Sequence, residues 1–80
     1  MKKRVAMFCI RELKRDLYRW ARSPYLKTKL QKTEAMEREL VFYQGYACAM
    51  MVNDDITHKQ YEILNNMMRS IYHNVRDNVK

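Results

Sequence analysis

Residues 34–52, EAMERELVFYQGYACAMMV, hold no proline and no cluster of turn formers, so they read as one uninterrupted helix. The stretch is apolar on more than one side. Met36, Leu40, Tyr43, Ala47 and Met50 repeat at alternating four and three, which is one seam of a helix. Phe42, Tyr46 and Ala49 form a second stripe on a different side, and Val41, Cys48 and Met51 fill in between. A surface helix needs one apolar face. A helix with two is either central in its own bundle or shared with another chain. Gly45, in mid-helix, costs about 1 kcal/mol relative to alanine and would let another backbone approach closely. Thr33 suits the N-cap, with Glu34 and Glu37 at the positive end of the helix dipole, and Asn53 suits the stop.

The rest of the chain supplies partners for this helix. Ala6, Ile10, Leu13, Leu17 and Trp20 repeat at helical spacing, so residues 5–22 read as an amphipathic helix. Val5, Phe8 and Ile10 would suit a short strand, but strict alternation is missing and the helix is preferred. Ser23-Pro24 is punctuation, with proline at the first position of a second helix. That helix is expected over 24–52, and a bend near Lys32 is left open. Farther on, Thr57 and Gln60 form a capping box, flanked by Ile56 and Tyr61 as a hydrophobic staple. The last helix, 57–78, carries the seam Tyr61, Leu64, Met68, Ile71 and Val75. It should pack antiparallel on the Met36–Met50 seam, with the first helix covering the second stripe.

The expected architecture is therefore an all-α three-helix bundle built on an antiparallel helical hairpin. With 80 residues, one helical domain spanning 1–80 is expected. One Gly and one Pro argue against a turn-rich β fold, and 48% hydrophobic residues argue against disorder. No apolar run approaches a membrane span, and the six apolar residues after Arg4 are too few for a signal peptide. A cytoplasmic protein with Cys9 and Cys48 as free thiols is expected.

Charge is the strongest functional signal. The net charge is +7, but residues 1–32 hold eleven Lys/Arg against only Glu12 and Asp16. That third carries +9 and the remainder −2. Such asymmetry points to a polyanionic or acidic partner. Arg11, Lys14, Arg15, Tyr18, Arg19 and Arg22 fall on the polar side of the first helix, led by Lys2-Lys3-Arg4 and followed by Lys27, Lys29 and Lys32. Together they could follow a phosphate backbone, and Tyr18, Trp20 and Tyr25 could stack on bases. A solvated basic face is the bland alternative.

Enzymatic chemistry finds no footing. His58 and His73 are fifteen residues apart and neither neighbours a cysteine, so no pair has metal-ligand spacing. No Gly-rich phosphate loop is present, and no cofactor or small-molecule substrate is expected. Groove-reading motifs fit poorly. A helix-turn-helix would need a turn at Gly45 before a helix without basic residues, and a ribbon-helix-helix would need a strand over 4–9. The expected function is a non-enzymatic protein whose basic third engages nucleic acid. The alternative is a protein-binding regulator or inhibitor that meets an acidic surface on a nucleic-acid-handling protein, a kind of small motif-free chain common among phages and mobile elements. Phe42, Tyr46 and Ala49 would then be an interface, with a second copy of the chain as one candidate partner.

Overall fold

Three helices account for most of the computed structural model, which describes residues 3–79: α1 (Lys3–Ala21), α2 (Lys29–Val52) and α3 (His58–Asp77). Each packs against the other two, and together they form a rod of 41 × 17 × 17 Å. The chain runs up, down and up. Trp20 meets Glu39, Phe8 meets Tyr46, and Gln44 meets Asn65, so α2 is antiparallel to both neighbours. The expected helical hairpin is formed by α2 and α3, and residues 4–9 are helical rather than extended.

The caps explain the boundaries. At α3, Thr57 Oγ1 accepts from the Gln60 N–H at 3.1 Å while Gln60 Oε1 accepts from the Thr57 N–H at 2.9 Å, the capping box read from the sequence. α2 starts later than expected. Residues 22–28 are turn and irregular backbone, so Pro24 does not open a helix. The cap is Thr28, whose Oγ1 accepts from the Gln31 N–H at 3.1 Å, with Gln31 Oε1 accepting from the N–H groups of Thr28 and Lys27. Thr33, expected as the cap, lies inside the helix and donates its hydroxyl to the Leu30 carbonyl at 3.1 Å. The reciprocal box satisfies two orphan N–H groups at once, which a lone threonine before Glu34 could not do.

The other end of α2 closes with a left-handed residue, and it is Asp54 (φ 62) rather than Asn53 (φ −86). The Asp55 N–H bonds the Met50 carbonyl at 2.8 Å and the Asp54 N–H bonds that of Met51 at 3.0 Å. This pair of bonds is the Schellman ending, which satisfies the last carbonyls. It turns the chain so that Ile56 is buried under the hairpin.

One core runs down the axis. α2 contributes Met36, Leu40, Tyr43 and Ala47, and α3 contributes Leu64, Met68, Tyr72 and Val75, extended by Val79. Leu13, Leu17, Met36, Leu64 and Met68 are fully buried, each worth about 1.5–3 kcal/mol relative to exposure. α1 differs from its expected seam. Its buried positions are Val5, Cys9, Leu13, Asp16 and Leu17, while Ala6, Ile10 and Trp20 lie at the margins. A helix wedged between two others buries an arc facing the bundle axis, wider than one seam and centred here about one position away from it.

The second stripe of α2 is where expectation and structure part. α1 does not cover it: Phe42 remains 63% exposed and Ala49 is exposed, while Tyr46 meets the Phe8 ring of α1 at 5.4 Å. Three helices around one axis each turn one face inward. Both α1 and α3 pack against the Met36–Ala47 side of α2, so its opposite side looks outward.

Candidate nucleic-acid interface

The helical repeat of α1 sorts its charges by sign. Arg4, Arg11, Lys14, Arg15 and Arg19 of α1 are all exposed, as is Arg22 just past its end. The two acids of the same helix, Glu12 and Asp16, turn inward: Asp16 is 4% exposed and Glu12 is half-buried. Glu12 would otherwise interrupt the cationic row. The result is a nearly unbroken basic face along a helix of 19 residues, roughly 28 Å of rise.

Asp16 anchors that face. Its Oδ2 accepts a hydrogen bond from the Tyr43 hydroxyl of α2 at 2.7 Å, and its Oδ1 accepts from Arg19 Nη2 and, at 3.4 Å, from Arg15. Burial alone would raise the Asp16 carboxyl. The Tyr43 hydrogen bond, the Arg19 contact and the Arg15 charge outweigh it and hold the group below the usual carboxylate range. Burial first, and then the carboxylate beside it, push the Tyr43 hydroxyl well above its ordinary value, so it stays a proton donor. Arg15 also pairs with Glu12 at 2.8 Å, and Arg11 lies 3.9 Å from the same carboxylate. These pairs fix the direction of Arg15 and Arg19 and partly neutralise them.

The remaining cations are less engaged. Lys14 makes no ion pair among the described residues. Arg22 stacks over the Tyr18 ring at 5.3 Å. Lys27 donates to the Pro24 carbonyl at 3.2 Å in the connection, and Lys29 stands exposed in the first turn of α2. Lys2, counted in the basic lead, lies outside the described residues.

The three aromatics separate. Tyr25 is 87% exposed in the connection and Tyr18 is 38% exposed beside Arg22. Trp20 is half-buried and its indole N–H donates to Glu39 Oε1 at 3.0 Å, tying α1 to α2. It is committed to the fold rather than offered for stacking.

No family model, curated protein or solved structure matches this chain. The remaining reactive groups are scattered. His58 is exposed near Glu62 at 3.4 Å, His73 is exposed against the Tyr72 ring, and Cys9 is buried with its thiol pushed up by desolvation. Among the described residues, no three His, Cys, Asp or Glu side chains cluster as a metal site. No helix among them is long and apolar enough to cross a membrane.

The sequence did not reveal Asp16 as a buried anchor or the groove beside the basic face. That groove is lined by Ala6, Met7, Ile10 and Met67 with Arg11 at its rim, between α1 and α3. The exposed methionines at 7 and 67 are its signal, and no spacing rule links residues so far apart.

Proposed function

We propose that the chain is a non-enzymatic binding protein whose α1 face follows the phosphate backbone of a nucleic acid. The observation that carries this reading is the sorting of charge on α1: five exposed Lys/Arg on the helix, with Arg22 just past its end, point outward while both acids turn inward. A straight row of cations meets a regular row of phosphates and releases their counterions. Tyr18 and Tyr25 add stacking surfaces, which favour single-stranded or looped regions. Phosphate contacts of this kind give affinity with little sequence selectivity. The test is titration against duplex and single-stranded DNA and RNA over a range of salt. Neutralising about five phosphates gives a log–log salt slope of about −4 to −5 on duplex. No binding at low salt, or binding indifferent to salt, refutes the reading.

A second reading is supported by the groove beside Arg11. A methionine-lined hollow with Arg11 at its rim suits an acidic, partly apolar protein surface better than a phosphate backbone. In that reading the chain is a regulator or inhibitor of a nucleic-acid-handling protein. Affinity capture with and without nuclease separates the two, since a protein partner stays bound after digestion.

A further inference from the structure

At the end of the bundle where α1 and α3 stop and α2 begins, residues from all three helices line a pocket of about 340 Å³. Ala21, Val75 and Val79 form its apolar floor, and the two valines are buried. Tyr18, Arg22, Lys32 and Asn78 complete the lining. The Arg22 guanidinium lies 5.3 Å from the centre of the Tyr18 ring, which still keeps 38% of its surface exposed. Lys32 is half-buried, and neither it nor Arg22 forms an ion pair among the described residues.

Two cations thus share one pocket whose lining holds no acid. The acids of the surrounding helices are engaged elsewhere. Asp16 is buried against Tyr43, Glu34 and Glu39 line a separate pocket beside Trp20, and Asp77 pairs with Arg76 at 3.4 Å. The closing carbonyls of α1 and α3 also add little negative charge. Those of Tyr18, Trp20, Val75 and Arg76 already accept the N–H groups of Arg22, Ser23, Asn78 and Val79. Like charges that converge without a counterion repel, and a bound anion relieves that repulsion. Cations alone would suit any anion. The aromatic ring, the apolar floor and a side-chain amide also suit a base attached to it. Asn78 donates to the Asn74 carbonyl at 2.7 Å, which holds the amide in place, and its Oδ1 accepts no bond among the described residues. We infer that the pocket binds one nucleotide of a strand, its phosphate between Arg22 and Lys32 and its base against Tyr18 and the valine floor. This rests on the reading of α1 as a phosphate-following face, which would deliver the strand to the pocket. A stacked duplex has no free base to offer, so the pocket selects single strands.

NMR titration of the full chain with adenosine monophosphate, and with ribose 5-phosphate as the probe without a base, tests the pocket apart from any strand. Amide shifts from the mononucleotide should saturate and cluster at Ala21, Arg22, Lys32 and Asn78, and ribose 5-phosphate should bind at least roughly tenfold more weakly. Lys32→Gln should weaken the mononucleotide about tenfold by removing one charged contact. Tyr18→Leu keeps the apolar bulk and should bring the mononucleotide down to the affinity of ribose 5-phosphate. Melting curves of both variants show that the fold survives, and either variant alone suffices. Absence of saturable mononucleotide binding at millimolar concentration, shifts spread along α1, or equal affinity for ribose 5-phosphate overturns the inference. Duplex titration reads the α1 face separately. Salt-dependent duplex binding without mononucleotide binding removes the pocket and leaves the α1 reading standing. Mononucleotide binding by a chain that takes no strand at low salt refutes both the α1 reading and the assignment of the pocket to a strand.

Discussion

The Tyr43 hydroxyl donates a 2.7 Å hydrogen bond to Asp16 Oδ2, joining residues 27 apart in sequence. Both are buried at the contact of α1 with α2, and the carboxylate they share holds Arg19 and Arg15 on the outer side. One contact thus fixes the register of two helices and steers part of the basic face.

Tyr43→Phe keeps the ring and deletes the donor. A hydrogen bond to a charged group is worth about 1.5–3 kcal/mol, and that loss should appear as a lower urea midpoint with unchanged slope. A midpoint equal to that of the parent chain would mean that the bond does not hold the helices.

Acid should weaken the same contact. The folded Asp16 carboxyl sits below its ordinary value, so its contribution is fully present above the unfolded value of about 3.9 and is lost as pH falls through the folded one. Asp16→Asn removes the titration. The stability gap between the parent chain and this variant should be widest near neutrality and should narrow as pH drops below about 4. A gap constant with pH would contradict the ionised anchor.

Thr28→Ala should cost about 1 kcal/mol by removing the cap that opens α2, whereas Thr33→Ala should stay within about 0.5 kcal/mol. Paired thermal melts of the two variants decide where the helix begins.

On the basic face, the choice of residue matters. Arg19 donates to Asp16, so Arg19→Glu should destabilise the fold as well as alter charge. Lys14→Glu with Arg22→Glu reverses two exposed cations that hold no carboxylate. The double variant should melt as the parent does, lose affinity for nucleic acid by about tenfold or more at low salt, and flatten the salt slope by about 2. An unchanged slope would place the phosphates elsewhere.

Much of the architecture is legible in the residues. The seam of α2, the capping box at Thr57 and the amphipathic pattern of α3 specify a helical hairpin, because local hydrogen bonding and helical period act over a few residues. The cap at Thr28 was equally readable, since Thr28 and Gln31 repeat the spacing of Thr57 and Gln60, but Ser23-Pro24 is the more conspicuous break. The exposure of Arg11, Lys14, Arg15, Arg19 and Arg22 also follows from the sequence, for charges on one side of an amphipathic helix have nowhere else to go.

Other features were decided by tertiary structure alone. Asp16 looked like one of two acids diluting a basic helix. Its burial depends on Tyr43 arriving from another helix to solvate it, which no local pattern encodes. Tyr72 was outside the seam expected for α3 and is buried, because a helix facing two neighbours buries more than one row. The second stripe of α2 had two readings in the sequence, covered or shared. Packing removed the first: both neighbours settle on the Met36–Ala47 side, around one axis, and leave Phe42, Gly45 and Ala49 facing outward.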